Sequence, residues 1–304
     1  MAVKSEPASR AQYRETSSQP NVRLGHIVGE ILKYTAVIVL AASFILPLYW
    51  MVTSALKNDA QVYTVPPIWI PRPAHWSNFW EGWTLYDYNR YLANTVFRYA
   101  IPRTVAITLS SAFVAYGFSR IQWRGREIFF AILLATMMIP GQVTIVPLFI
   151  IFRNLGWIDS YRPLVIPALF GSAWNIFLMR QFFKGIPKEL SEAAFIDGAS
   201  QLTVLFRIIL PLSKPVLTVV ALFSFMGAWN DYFGPLIYIS RRENFPIALA
   251  IHQLRVSAET PGMSSGIYPY LMAVSTIVTV PILVLYFFAQ RTFIEQISLT
   301  GLKG

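Results

Sequence analysis

Six apolar runs, each close to the length that crosses a lipid bilayer, constrain this chain more than any other feature. A helix needs about 20 apolar residues to span about 30 Å of hydrocarbon. The runs cover residues 34–56, 96–118, 128–152, 163–179, 215–239 and 268–290. The second is the weakest, because Arg98 and Arg103 lie in its first half. The sequence therefore predicts an all-α integral membrane protein with six transmembrane helices.

The composition agrees with a bilayer as the surrounding solvent. Of 304 residues, 55% are hydrophobic and 13% are charged, and the mean hydropathy is +0.49. Ordinary soluble domains carry about one quarter charged residues. The net charge of +10 comes from Lys and Arg at the edges of the apolar runs, without the basic stripe that nucleic-acid binding needs. The sequence predicts contact with membrane lipids and none with nucleic acid.

Residue types that carry catalysis or bind metals are sparse. The chain has no cysteine, which excludes disulfides, thiolate metal ligands and a cysteine nucleophile. His26, His75 and His252 lie far apart in sequence, without the spacing of metal ligands. No clustered nucleophile or general base is present, as a membrane enzyme would need. We expect no metal or cofactor in this chain.

The ends of the chain give an orientation. Residues 1–30 are rich in Ser, Gln, Arg and Glu and predict a flexible cytoplasmic tail, followed by a transmembrane domain over residues 31–304. No short apolar stretch with a cleavage site lies near Met1, so the first run is predicted to be a retained anchor. Lys and Arg are more numerous on the N-terminal side of the membrane, which predicts a multi-pass protein of the inner membrane with both termini in the cytoplasm.

Two connecting segments differ from simple loops. Residues 57–95, predicted to be external, are dense in Trp, Tyr and Pro, and fit either an aromatic belt at the membrane surface or contact with an external protein. Residues 184–215 are too charged to cross the membrane and predict two cytoplasmic helices with a turn at Gly198. Pro187 suits the first helical position and Glu189 the first turn.

The two predicted loop helices have different surfaces. The second carries one apolar stripe expected to lie against the helical bundle, formed by Leu202, Leu205, Phe206, Ile209 and Leu210. The first presents small residues, Ala193 and Ala194, beside Glu192 and Asp197. Another protein can approach such a surface closely, although a hairpin packed on the membrane surface explains the same residues.

A three-part motif in this loop gives a family resemblance. Glu192-Ala193-Ala194, then Asp197-Gly198-Ala199, then Ile209-Leu210-Pro211 resemble the EAA signature of binding-protein-dependent ABC importer permeases. The ending Gly301-Leu302-Lys303-Gly304 is similar to the maltose-type carbohydrate branch of that family. Ser191 departs from the pattern, since many relatives have a second acid there. The resemblance covers nearly all of the chain from about Tyr34.

The resemblance implies a function and a set of partners. The chain would be a permease subunit that translocates a sugar, an oligosaccharide or related solute, delivered by an external solute-binding protein. Its other partners would be a homologous second permease subunit and two ABC ATPase subunits, which use ATP and Mg. The coupling contacts with an ATPase subunit would be Glu192, Ala193, Ala194, Asp197 and Gly198. The chain has no GxxxxGK[ST] phosphate loop, so it is not predicted to be an enzyme.

Candidates for the solute pathway lie in the fourth and fifth runs. Asp231 is the one acid inside a predicted span, beside Asn230 and Trp229, and fits either solute contact or a structural bond to a helix end or a nearby Arg. Trp174 and Asn175 are candidates because stacking and amide hydrogen bonds recognise sugars. An ion-coupled secondary transporter is the alternative, although that class usually has several intramembrane carboxylates.

Overall fold

A computed structural model describes residues 20–260 and 266–301, and every regular element within them is a helix. The chain divides into two compact units, residues 1–50 and 51–304. In its described part, the first unit consists of most of helix α1, Pro20–Ala55. From Ile27 to Tyr49 this helix exposes large apolar side chains, as a helix surrounded by lipid does.

Helix α1 begins earlier than the sequence predicted. Residues 20–30 were assigned to the flexible tail, but they are helical and continuous with the first apolar run. Pro20 occupies the start of the helix, where its missing N–H has no intrahelical acceptor and so costs nothing. The rest of the predicted tail, residues 1–19, lies outside the described residues.

The aromatic segment after α1 folds into short helices. Their bounds are α2, Asp59–Val62; α3, Ser77–Thr84; and α4, Tyr88–Ala93. Trp76 and Trp80 are exposed, in agreement with either alternative drawn from the sequence. Tyr88 and Tyr91, however, are buried and contact each other edge to face. Part of the segment is therefore hydrophobic core, which neither alternative anticipated.

The second apolar run is helical throughout. A π-helical stretch, Asn94–Ala100, leads directly into α5, Ile101–Ser119.

The third run is divided at Pro140 into α6, Arg126–Thr136, and α7, Gly141–Asn154, which meet at 94°. Proline disfavours helical geometry in the residue before it, which accounts for the break.

The fourth run contains α8, Arg162–Val165, a 3₁₀ turn, Ile166–Phe170, and α9, Ala173–Gly185. The predicted cytoplasmic loop follows. It contains α10, Glu189–Ile196; α11, Gln201–Val204; a π-helical turn, Leu205–Ile209; and α12, Leu210–Leu212. The two helical segments expected from the sequence are thus present.

The last part of the chain is also helical. Its elements are α13, Lys214–Trp229; α14, Phe233–Tyr238; a 3₁₀ turn, Arg242–Asn244; α15, Ile247–Glu259; and α16, Ile267–Gly301. The fifth predicted span is therefore two helices, α13 and α14, with a break around Asp231. Asn230 ends α13, and its side-chain amide donates to the carbonyl of Met226.

Within the described residues, three helical segments are long and apolar enough to cross a membrane: His26–Ala55, Arg162–Gly185 and Ile267–Gln290. Two bent helix pairs raise the number to five if each pair is one span. One is α6 with α7, and the other joins residues 201–212 to α13 at 79°. The second predicted run is helical but does not meet these criteria, in keeping with Arg98 and Arg103 inside it. The part of the chain that the structure describes is thus all-helical, with three to five segments that could cross a membrane.

Two hydrophobic clusters organise the unit that spans residues 51–304. The first core cluster includes Tyr88, Tyr99, Ile247, Leu254 and Val274 and joins α4, the π-helical stretch before α5, α15 and α16. The second core cluster joins the end of α5, α9, the loop helices and α13. Its fully buried members include Met179, Phe183, Val204, Leu205 and Ile209. The predicted loop is thus packed onto the helical bundle through the second cluster.

Candidate functional site

Helix α10 presents the EAA motif on an open surface. Glu192, Ala193, Asp197 and Gly198 are exposed, whereas Ala194 is partly buried and packs against the second core cluster. The described residues provide Glu192 with no side-chain hydrogen bond or ion pair. Ile196, on the same helix, is 87% exposed. The surface combines an acid, small residues and large apolar side chains, a composition that suits a protein partner.

Gly198 ends this helix as predicted. Its φ is +81°, a left-handed conformation that glycine adopts without steric strain. The N–H of Gly198 donates to the carbonyl of Phe195 over 3.0 Å, and the N–H of Ala199 reaches back to Ala194 over 2.9 Å. The second bond is the 6→1 hydrogen bond of a Schellman motif, which ends a helix. The turn directs the chain from α10 into α11.

The start of α10 differs from the prediction. Pro187 was placed at the first helical position, but the helix begins two residues later, at Glu189, and Pro187 lies in the irregular segment before it. Glu189 and Glu192 both lie in the first turn. Their negative charge there is favourable, because the first turn of a helix carries partial positive charge.

The apolar stripe predicted for the second loop helix is wrong in part. Leu205 and Ile209 are buried as expected, but Leu202 and Phe206 are more than half exposed, and Val204 is buried in their place. The physical reason is the π-helical turn over Leu205–Ile209. A π turn contains more residues than an α turn, so it shifts the register on which the stripe was counted.

Asp231 lies in a polar cluster with Tyr99 and Arg103, which we call the Asp231 cluster. The hydroxyl of Tyr99 donates to Oδ2 of Asp231 over 2.5 Å, and Arg103 Nη1 donates to the same hydroxyl over 2.7 Å. Arg103 Nη1 is 4.0 Å from Asp231 Oδ2. The N–H of Gly234, in α14, donates to Oδ1 of Asp231 over 2.9 Å. Both carboxylate oxygens therefore have protein partners.

The Asp231 cluster forms one wall of a cavity of about 340 Å³. The opposite walls come from the fourth run, including Pro163, Leu164, Pro167, Gly171 and Ser172. The lining is mixed, with the hydroxyl of Tyr99 and the charges of Arg103 and Asp231 on one side and mainly apolar residues on the other. The structural partners foreseen for Asp231, a helix end and an arginine, are both present.

The other pathway candidates are not gathered at this cavity. Trp229 is buried and stacks on Phe225, with ring centroids 5.8 Å apart, whereas Asn230 is exposed. Trp174 is exposed and Asn175 is partly buried, and neither is among the residues that line the cavity. Sequence reasoning missed Tyr99 as a partner of Asp231. The available signal was Arg103, an arginine inside a predicted span and four residues after Tyr99.

A second polar cluster joins two loops between apolar runs. Asp159 Oδ1 accepts hydrogen bonds from the backbone N–H groups of Ser240 and Arg241, and its Oδ2 pairs with the side chain of Arg241. Burial alone would raise the pKa of Asp159, but the bonds from Arg241 and Ser240 outweigh that effect and lower it to about 2. The loop after α7 is thus tied to the loop after α14.

Potential metal ligands do not converge in the part of the chain that the structure describes. No group of three or more His, Asp or Glu side chains there is arranged to hold a metal ion.

Comparison of the amino-acid sequence with known proteins shows the family of this chain. The family described as "Binding-protein-dependent transport system inner membrane component" matches residues 104–298, more than half of the chain. The chain is 30% identical over 298 residues to the Bacillus subtilis (strain 168) protein named "Probable ABC transporter permease protein YurM", covering 96% of this chain and 94% of that relative. It is 32% identical over 205 residues to the arabinooligosaccharides transport system permease protein AraQ of Halalkalibacterium halodurans, covering 67% and 71% of the two chains.

A solved structure shares the fold. A chain from the crystal structure of a bacterial ABC transporter involved in the import of the acidic polysaccharide alginate matches with a TM-score of 0.75 and 24% identity. The match covers 90% of this chain and 98% of that chain. The named relatives are transport permeases, so this chain is a permease subunit and not an enzyme. On the extent of the family match, it belongs to the binding-protein-dependent transport system inner membrane components of ABC transporters.

Proposed function

We propose that this chain is one of two membrane-spanning subunits of an ATP-driven importer that translocates an oligosaccharide or related solute. The observation that carries the proposal is the EAA motif on an exposed, capped helix, α10, in a chain that belongs to this permease family. AraQ transports arabinooligosaccharides by name, and the structural relative imports alginate. One solute is uncharged and the other acidic, so the shared chemistry is that of a carbohydrate chain.

The partners follow from the same observation. A homologous second permease would complete the pathway, two ATPase subunits would bind ATP and Mg, and an external binding protein would deliver the solute. Another structure of the alginate transporter is described in complex with a pentasaccharide-bound periplasmic protein, which supports a solute-binding partner. Closure of the ATPase pair would move α10 and open the pathway outward, as alternating access requires.

The arrangement in the membrane is part of the proposal. Six spans with both termini in the cytoplasm would place α10 on the cytoplasmic side, where the ATPase subunits lie. This arrangement requires the helix over residues 96–118 to cross the membrane. Its charged start lies against protein, since Arg103 contacts Tyr99 and Asp231, and such contacts lower the cost of burying a charge.

For coupling we propose Glu192, Ala193, Ala194, Asp197 and Gly198 as the contact surface for an ATPase subunit. Glu192 is exposed and has no internal partner in the described residues, so an external partner is needed if the acid is to contribute to coupling. Losing one member of a charged hydrogen bond that a complex buries costs about 2 to 5 kcal/mol. Because 1.4 kcal/mol is about a factor of ten, the effect would be large.

For the solute pathway the proposal gives the candidates different roles. Trp174, Asn175 and Asn230 would contact the solute, since none is fully buried. Trp229 would support the pathway by packing, because it is buried against Phe225. Asp231 would hold the break between α13 and α14 through its bonds to Tyr99 and Gly234.

The experiment is reconstitution of the complex in proteoliposomes with the permease, ATPase and binding-protein partners from the same genome. Solute uptake should depend on ATP and on the binding protein. Glu192→Ala should reduce solute-stimulated hydrolysis or co-purification of the ATPase about tenfold or more. The matched control is Glu259→Ala, which removes an exposed acid paired with the exposed Arg255 and should have little effect. Uptake driven by an ion gradient without ATPase subunits would refute the proposal.

A further inference from the structure

Two polar side chains lie one turn apart at the end of α5, and each contacts one side of the loop that holds α10. Tyr116 is in the last turn of α5 and is almost fully buried. Arg120 follows it by four residues and lies on the same face of the helix, because residues four apart are neighbours on a helix surface. Neither residue belongs to the EAA motif.

Arg120 binds the chain just before α10. Its Nη2 donates to the carbonyl oxygens of Phe183 and Ile186, each over 2.5 Å. These carbonyls lie at the C-terminal end of α9, where helical carbonyls lack intrahelical partners and carry partial negative charge. A guanidinium is suited to this position, since it offers several donors and keeps its positive charge.

Tyr116 binds the chain just after α10. Its hydroxyl is 2.7 Å from Oε1 of Gln201, to which it donates, and 3.2 Å from the backbone carbonyl of the same residue. Gln201 is the first residue of α11 and comes three residues after the turn at Gly198. The two side chains of α5 thus hold the entry and the exit of α10.

Between these two anchors, α10 and α5 enclose a cavity of about 180 Å³. It is lined by Ser119 and Gln122 on one side and by Lys188, Ser191, Glu192 and Phe195 on the other. Ser191 is buried, and its hydroxyl has no hydrogen-bond partner among the described residues. Side-chain packing is therefore incomplete in this region, and the bonds of Arg120 and Tyr116 join α5 to the chain on both sides of α10.

We propose that Tyr116 and Arg120 are positioning residues that make α10 move together with α5, so that displacement of α10 by an ATPase subunit is transmitted to a helix next to the solute pathway. The proposal rests on the function proposed above. The new element is the route by which motion of α10 reaches the membrane helices, through hydrogen bonds to α5. Helix α5 begins near Tyr99 and Arg103, at the cavity beside the Asp231 cluster.

The test compares the ratio of solute transported to ATP hydrolysed in the reconstituted complex. Tyr116→Phe removes one hydroxyl and keeps the ring, so the protein should fold and bind the ATPase. Arg120→Met removes the donors and keeps the length of the side chain. Each variant should lower the transport ratio about fivefold while the ATPase still co-purifies, since a net hydrogen bond is worth about that factor in an equilibrium.

The controls separate the proposed role from general stability. Tyr88→Phe removes a buried hydroxyl that has no hydrogen-bond partner in the described residues and should leave the ratio unchanged. Gln201→Ala should lower the ratio, and combining it with Tyr116→Phe should add little, because both changes remove the bond from the Tyr116 hydroxyl to Oε1 of Gln201. A general folding role would instead lower hydrolysis and uptake in parallel, with the ratio kept.

The outcomes are distinguishable from failure of the proposed function. If the proposed function is wrong, the wild-type complex shows no ATP-driven uptake. If the wild type couples hydrolysis to uptake and both variants retain its ratio, the positioning role is overturned. It is also overturned if uptake and hydrolysis fall equally, since the residues would then support folding and not transmission.

Discussion

The hydroxyl of Tyr99 bridges Arg103 and Asp231, accepting a hydrogen bond from the first and donating one to the second. Tyr99→Phe leaves the ring in place but removes that bridge. We expect a loss of about 1 to 3 kcal/mol in stability, the usual cost of removing a buried hydrogen bond to a charged group. Thermal unfolding in detergent measures it. Tyr88→Phe is the control and should cost little, so equal losses in the two variants would contradict the assignment.

Gly234 lies too close to Asp231 to carry a side chain. A Cβ at this position would be 2.7 Å from Oδ2 of Asp231 and 3.0 Å from a methyl carbon of Leu164. Gly234→Ala should therefore disturb the Asp231 cluster and lower the unfolding temperature. Gly227→Ala is a matched control in α13, because a Cβ added at Gly227 would have nothing within 4 Å and alanine favours the helix. If Gly234→Ala stabilises the protein as Gly227→Ala does, Gly234 is not required at this position.

Asp159 gives the protein a stability that depends on pH. The pKa of Asp159 is about 2 in the folded protein, below the ordinary 3.8, so its bonds stabilise the fold above pH 4 and lose that effect between pH 4 and pH 2. Its partner Arg241 is 66% exposed, so screening reduces the contribution to about 1 kcal/mol. Asp159 has a φ of +59°, which asparagine also tolerates, so Asp159→Asn should keep the backbone and remove this dependence. The measurement is the unfolding midpoint of the wild type and of Asp159→Asn between pH 4 and pH 2. If the midpoints of the two proteins change equally with pH, the prediction is wrong.

Gly198 fixes the exit of α10 through its positive φ. Gly198→Val should leave the protein in the membrane but lower ATP-coupled uptake, because a β-branched residue in this conformation costs about 1 to 3 kcal/mol. Gly185→Val serves as the control, since Gly185 has no positive φ and a Cβ added there would meet nothing within 4 Å. Wild-type uptake by Gly198→Val would show that the turn does not need glycine.

The proposed orientation can be tested because the chain lacks cysteine. Single cysteines at Ser200 and Thr260, both exposed, should react from opposite faces of the membrane. A membrane-impermeant maleimide applied to intact cells should label only the Thr260 variant. Labelling of both variants would contradict the proposed topology.

Local signals in the sequence predicted the two helical segments of the loop and the turn between them, whereas the buried face of the second segment and the long-range contacts were harder to predict. The turn at Gly198 and the acidic first turn of α10 depend on neighbouring residues and were confirmed. The bond between Tyr99 and Asp231 joins residues 132 positions apart, so no periodicity in the chain reveals it. The break around Pro140 was marked by a proline, but its angle of 94° depends on packing.

The π-helical turn over Leu205–Ile209 makes the length of this segment important as well as its residues. Removing one residue would allow an ordinary α-helical turn and would rotate the preceding helix by about 100°, the angle between successive residues. Gln201 would then point away from Tyr116, and the motif before it would face a different direction. Among relatives, this stretch should accept exchanges between apolar residues and reject insertions or deletions, so alignment gaps should fall outside it.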